Sequence, residues 1–428
     1  MNDLSEIIRC EIACEGCISF ARFMELALYC PRCGYYERES VPVGRKGDFY
    51  TSVSVGSLFG ELLAFQFAEW LERLKFQPLG HRDDEDDVAS HPRGSRREMA
   101  RLSLPQPSRS ILLSGAVEGH DDSIKQSAFP SSSNIALLRF QLVEAGAHDG
   151  RLALDILNWF RRCRPDLFET LDYWIIEPSA RRREWQENTL GEFAGRVRWH
   201  ASWDSLSSPA VRGVIFANEL LDAFPVHRIG WNATEQSWFE WGVAWKCDRF
   251  EWVRMTSAPI GCSTLSQVLD WPRLPPELLA VLPDGFTTEL SPGAGAWWNQ
   301  AAGNLTQGKL VTLDYGLTGE SFFSPERAGG TLRAYRQHRV SSNLLEHVGE
   351  QDLTAQVNFT ALQLNGEQAG LRTEALISQA AFLTRTAEKT WHPNSRCGEW
   401  SAAEKRQFQT LVHPEHLGRA FRVLVQSR

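Results

Sequence analysis

A chain of 428 residues, 43% of them hydrophobic, can bury one large domain with additions or two domains. Its formal net charge of -8 excludes nucleic acid as the main partner, since phosphate backbones need a basic face, and no stretch approaches the roughly 20 apolar residues of a membrane span. The opening MNDLSEIIRCEIACEG has no basic-then-apolar signal, and its acids argue against a transit peptide, so a cytoplasmic location is expected.

Residues 1–77 read as a helical layer with one turn-rich break. Within it Cys14, Cys17, Cys30 and Cys33 make C-x2-C-x12-C-x2-C, a zinc-ligand spacing on paper. Between the pairs, Phe20, Phe23, Met24, Ala27 and Leu28 recur at helical spacing, and Ser19 suits an N-cap. A helix over 19–29 is roughly 15 Å long and holds the pairs apart, whereas zinc wants four sulfurs about 2.3 Å from one point. Structural or incidental thiols, and no metal, are therefore expected. Further on, SVGSLFGELLAFQFAEWLERLK predicts a long amphipathic helix that includes Leu58, Leu62, Phe65 and Trp70.

Residues 78–134 break the pattern. HRDDEDDVASHPRGSRRE, PQPSRS and FPSSSN offer too little apolar surface to offset ordering entropy, which predicts a mostly disordered insertion. From 135 to 428 the texture is α/β. ALLRFQLVEAG, DYWIIEP, RVRWH and VRGVIFANELLDAFP read as strands, the last running into a helical turn, and helical stretches alternate with them. This alternation predicts a Rossmann-like doubly wound sheet. Between 226 and 256 a Trp-, Val- and Phe-rich run with turn residues predicts an inserted β-rich subdomain. WWNQAAGNLTQ, GKLVTLDYG and RAFRVLVQ then read as helix, strand and strand. In GTLRAYRQHRV, Arg333, Arg336, His338 and Arg339 read as a basic helix face, with an acidic-peptide site as the alternative.

The stretch LVEAGAHDGRLALDIL carries the chemistry. Gly146 and Gly150 allow a sharp turn and close approach to a ligand, and the helix that follows offers free N–H groups. It lacks the G-x-G-x-x-G of a dinucleotide site, because His148 and Arg151 stand at the second and third glycine positions. A nicotinamide dehydrogenase is therefore disfavoured. Glu144, at the strand end, is awkward beside a pyrophosphate and suits a ligand with an amino group and a cation, as a methyl-sulfonium cofactor has. Glu177 ends the next strand, where a carboxylate can accept both hydroxyls of a ribose. The bland alternative is a tight βα turn plus a helix N-terminal acid.

GDFYTSVSVGSLFGELLA, LVEAGAHDGRLALDIL, YWIIEPSARRREWQ, FANELLDAFPVHRI, VTLDYG, GTLRAYRQHRV and GEQDLTAQVNFTAL, in this order, resemble the MidA-type family. With EIACEGCISFARFMELALYCPRCGYY the resemblance covers nearly the whole chain outside 78–134. The family comprises class I S-adenosylmethionine-dependent methyltransferases, whose mitochondrial members assist respiratory complex I assembly. It implies a seven-strand-type sheet, S-adenosylmethionine as cofactor and, in the mitochondrial branch, a protein arginine as acceptor. A complex I subunit is the implied partner. By this resemblance Glu144, Gly146 and Gly150 form the first cofactor loop and Glu177 clamps the ribose. Asp48, Thr51 and Ser52 cover the cofactor, or else form a tight turn with a helix cap. His148 departs from the usual mid-loop glycine.

In such enzymes the fourth strand ends beside the methyl group. Asn218, Glu219 and Asp222 stand there and are the expected catalytic residues, with Glu219 and Asp222 on one face if the turn is helical. Paired carboxylates could orient a guanidinium bidentately; a capped helix with a solvated acid face is the plainer reading. Tyr315 could wall the same pocket. The competing function is a non-catalytic assembly factor or scaffold that keeps the fold.

Overall fold

The computed structural model describes residues 3–38, 51–75, 139–206, 210–255, 274–337, 339–341, 343–390 and 399–428. The insertion at 78–134, Asp48 and His338 lie outside these.

Seven strands build the main sheet: β1 (Phe140–Ala145), β2 (Leu171–Ile176), β3 (Val197–His200), β4 (Val211–Asn218), β5 (Leu305–Leu317), β6 (Arg372–Ser378) and β7 (Phe421–Ser427). Their order is β3-β2-β1-β4-β5-β7-β6. The first five are parallel, and β7 runs antiparallel to both neighbours. A short segment, Val357–Asn358, joins β5 at Gly316. Every residue of β1 and β4 is buried, as the near-continuous apolar run of a strand covered on both faces requires. Leu142, Val214 and Phe216 enter one core, while Val143, Ile215 and Ala217 enter the other.

The first core is closed by helices α4 (Leu58–Lys75) and α5 (Arg151–Cys163) with the helices Gln379–Thr390 and Ala402–Val412. In α5, Leu152, Ile156 and Phe160 recur every fourth residue and face the sheet. The second core is closed by Pro292–Asn304 and Phe359–Gln368, where Trp297, Trp298 and Leu362 pack on β1 and β4. Because β2 and β3 extend the sheet to one side of β1 and β4 returns to the other, a crevice opens at the carboxyl ends of β1 and β4.

The described residues among the first 77 divide between two cores. Helix α1 (Asp3–Glu15) and α2 (Phe20–Tyr29) pack with Val226 and Val243, whereas α4 packs on the main sheet. Ser19 caps α2, its Oγ accepting from the Arg22 amide. Cys14 and Cys17 precede α2, and Cys30 and Cys33 follow it with their sulfurs 3.5 Å apart. The β-rich insertion is larger than its sequence signature. Its five antiparallel strands are His227–Asn232, Ser237–Lys246, Arg249–Arg254, the later Thr287–Leu290 and the early Ile18–Ser19.

The described residues of GTLRAYRQHRV are not helical. Arg333–Arg336 and Arg339–Ser341 pair as an antiparallel hairpin, with Gln337 at φ +51. Asp352–Thr354 pairs on the hairpin's other side, and this partner, far along the chain, decides between strand and helix. No helix among the described residues is long and apolar enough to cross a membrane.

Candidate active site

The crevice holds a cavity of about 410 Å³. Glu144, Gly146, His148, Glu177, Asn218, Glu219 and Thr51 all line it, so one space gathers most of the residues singled out from sequence.

The loop after β1 turns through three left-handed residues: Gly146 at φ +74, His148 at φ +47 and Gly150 at φ +83. A Cβ on Gly146 would lie 2.7 Å from Leu220, so the close approach there requires glycine. Gly150 does not line the cavity. It is the N-cap of α5 and packs against Gln186 and Leu190. His148 adopts a conformation that costs a non-glycine residue about 1–2 kcal/mol, and its ring, 6.1 Å from Trp185, walls the cavity and leaves it open.

Glu144 is buried and accepts from the Tyr173 hydroxyl at 2.6 Å. Burial pushes its carboxyl up to about 7, against the pull of that hydroxyl. Glu177 is 1% exposed. Its oxygens accept from the Ser179 amide at 3.0 Å and from Gln186 at 3.1 Å, and Arg182 pairs with it at 3.2 Å. Oε1 faces both Ser179 and Arg182, whereas Oε2, with Gln186 as its partner, keeps a lone pair for a hydroxyl.

The turn after β4 is fixed from β5. Asp314, fully buried, accepts from the amides of Leu220 at 3.2 Å, Leu221 at 2.8 Å and Tyr315 at 2.8 Å. The Glu219 amide donates to Leu313 O at 2.9 Å, and Glu219 itself is left-handed at φ +51. Its Oε1 accepts from the Ser52 amide at 3.0 Å and from Asn218 Nδ2 at 3.2 Å. Burial pushes the Glu219 carboxyl up to about 8, with the Asp314 charge adding to the effect. Asn218 Oδ1 is buried without a partner among the described residues.

Two site expectations change. The helical face joining Glu219 to Asp222 does not form, because the left-handed Glu219 leaves only a 3-10 turn at Leu221–Ala223. Asp222 and Tyr315 instead line a second cavity, which Glu219 shares. Ser52 is fully buried and supports Glu219 without reaching the first cavity, and its Oγ donates to Gln379. Thr51 does line that cavity and also caps the short helix α3 (Ser52–Val55). Residues that sequence reasoning gave no role include Tyr29, Tyr36, Asp149 and Trp203, all lining the first cavity. The two tyrosines stand inside the quoted opening motif; Trp203 carries no local signal.

A sulfonium cofactor fits these residues. Gly146 clears the bend, Asn218 Oδ1 offers an acceptor without a partner among the described residues, Glu144 and Glu177 supply carboxyl oxygens, and Ile176, Ala201 and Trp203 give apolar walls. A sheet of this order with such a crevice defines the class of nucleotide-cofactor α/β enzymes. The chain belongs to the S-adenosyl-L-methionine-dependent methyltransferase family whose model, described as "Putative S-adenosyl-L-methionine-dependent methyltransferase", matches residues 127–377.

It is 24% identical over 409 residues to a Drosophila melanogaster protein named protein arginine methyltransferase NDUFAF7 homolog, mitochondrial, covering 90% of this chain and 75% of that one. The Mus musculus NDUFAF7 protein is 25% identical, covering 96% and 81%. A Burkholderia thailandensis crystal structure bound to S-adenosyl-homocysteine superposes with a TM-score of 0.71 at 25% identity, covering 99% of this chain and 92% of that one. The mitochondrial names of these relatives overturn the expected cytoplasmic location. The acids of the opening residues belong to helix α1, which buries Leu4, Ile8 and Ile12, so they report on folding and not on targeting.

Replacing Asp314 with alanine orphans the amides of Leu220, Leu221, Asp222 and Tyr315 and is expected to cost roughly 2–4 kcal/mol, read by chemical denaturation. Stability should also fall as pH rises from 5 to 8. Over that window the folded chain retains protons on Glu219 and Glu144 that the unfolded chain, with carboxyls near about 4.3, has already released. In Glu219→Gln the fall between melts at pH 5 and pH 8 should be smaller.

Proposed function

We propose that this methyltransferase acts on a protein arginine, with its cofactor in the first cavity and its acceptor nitrogen presented beside Glu219. The observation that carries the reading is that Glu219 stands in the wall between the cavity holding Glu144 and Glu177 and a second, acid-lined cavity. The names of the curated relatives support arginine as the acceptor. The family resemblance supports a respiratory complex I subunit as the protein that carries it.

S-adenosylmethionine, when bound, supplies an electrophilic methyl carbon whose bond to sulfur breaks as the acceptor nitrogen attacks, the electron pair staying on sulfur. Glu144 and the bend at Gly146 hold the amino acid end, and Glu177 accepts the ribose hydroxyls. Entry of the cationic guanidinium draws the raised Glu219 carboxyl down, so that Glu219 gives its proton to solvent; the resulting carboxylate and Asn218 Oδ1 orient the acceptor nitrogen, and Glu219 takes up the proton that nitrogen sheds. Residues 1–77 act as a cover, contributing Tyr29, Tyr36, Thr51 and Ser54 to the first cavity and excluding water. The chain outside 78–134 is the working unit.

Glu177→Ala should weaken binding of labelled S-adenosylmethionine by about 1–3 kcal/mol, the range of charged hydrogen bonds; an unchanged titration removes the ribose role. Glu219→Gln should spare that binding and lower methyl transfer to arginine in mitochondrial protein, read by mass spectrometry. Turnover at the parent rate would remove Glu219 from the mechanism.

A further inference from the structure

The second cavity, about 410 Å³, shares Tyr36 and Glu219 with the first. Its walls combine the carboxylates of Glu219, Asp222 and Asp352 with the rings of Tyr36, Tyr315 and Tyr335. Asp222 is 8% exposed, and no described side chain pairs with its carboxylate, which takes a hydrogen bond from the Ala223 amide. Asp352 is 2% exposed, and its Oδ1 accepts from the Tyr36 hydroxyl at 2.8 Å.

These groups share one frame. Tyr36 stacks on Tyr29 with ring centroids 5.5 Å apart, and the Tyr29 hydroxyl donates to Ala223 O at 2.9 Å. The Ala355 amide donates to Asp222 O at 2.9 Å, tying the Asp352 strand to the turn that carries Asp222. Arg333 also lines the cavity, but it is exposed and its Nη1 donates to Leu332 O, so it does not neutralise Asp222.

A buried carboxylate without a cation is costly, and a cation arriving from outside removes that cost. The kind of cation follows from the walls. A guanidinium is planar and weakly hydrated, can fork to two carboxylates and stacks on aromatic rings, whereas an ammonium is a compact, strongly hydrated point charge.

We propose that the second cavity is the acceptor pocket, in which Asp222 and Asp352 grip the guanidinium of a substrate arginine and Tyr315 and Tyr335 flank its plane, delivering one nitrogen to Glu219. The assignment rests on the methyltransferase reading. It adds Asp352, Tyr36 and Tyr335 as positioning residues that set acceptor specificity.

The test uses the full chain saturated with S-adenosyl-homocysteine and three probes: the N-acetyl methylamides of arginine, lysine and citrulline, titrated by NMR. The arginine probe should bind at least about tenfold more tightly than the other two, and Asp222→Asn and Asp352→Asn should each weaken it about tenfold, the size of one charged hydrogen bond. S-adenosyl-homocysteine affinity should stay within about twofold of the parent in both variants, since neither residue lines the first cavity. Tyr36→Phe, which removes only the hydroxyl that holds Asp352, should raise KM for an arginyl peptide and leave kcat in place, and it keeps the test alive if a carboxylate variant misfolds. Equal binding of the three probes, no binding of any, or an arginine affinity that none of the variants changes overturns the pocket. If the parent binds S-adenosyl-homocysteine while this happens, the pocket alone has failed. If the parent does not bind S-adenosyl-homocysteine, the methyltransferase reading fails and the pocket falls with it.

Discussion

Asp314 is the constraint on which the site depends. A carboxylate with no solvent around it survives only if its lone pairs are filled, and the amides of Leu220, Leu221, Asp222 and Tyr315 fill them. Those amides belong to the turn after β4 and to the end of β5, so one side chain locks two neighbouring strand ends together. The left-handed conformation of Glu219 is a consequence, since the chain must reverse at that residue to bring Leu220 and Leu221 back to Asp314. Strain of this kind is tolerated only where the surroundings over-determine it. The orientation of Glu219, and the partition between the two cavities, follow from that lock.

The first cavity uses acids in two different ways. Glu177 is charge-balanced by Arg182 and held by Ser179 and Gln186, a network that fixes an anion in place before any ligand arrives. Among the described residues Glu144 has only the Tyr173 hydroxyl at hydrogen-bond distance, and burial raises it to about 7. One acid is a rigid acceptor. The other carries its charge near neutrality only when a cation stands nearby. The asymmetry suits a ligand with neutral hydroxyls at one end and an ammonium at the other.

The parallel strands, the α5 helix, the Ser19 cap and the gathering of Glu144 and Glu177 in one crevice were legible because each rests on local periodicity or on a rule of sheet topology. Glu219 was legible as a position and not as a conformation, since its reversal is dictated by Asp314, far along the chain. The same limit explains the hairpin at Arg333–Ser341, whose partner strand at Asp352–Thr354 cannot be seen in a local window. Gly150 and Ser52 behaved as scaffolding: a helix cap and an amide donor use the same residue types as a ligand contact. Acidic residues at the opening are equally ambiguous between a docked helix and a targeting signal.

Strand β7 lies inside the main sheet, between β5 and β6, although it comes last of the seven in sequence. Edge strand β6 therefore has no place to attach until residues 421–427 have left the ribosome. While residues 318–420 are being added the chain carries β5 as an unpaired border, its residues Lys309 to Tyr315 waiting for a neighbour. Nascent copies stalled at that stage present a template for edge-to-edge association, which makes the pace of synthesis between β5 and β7 part of how this protein reaches its native state.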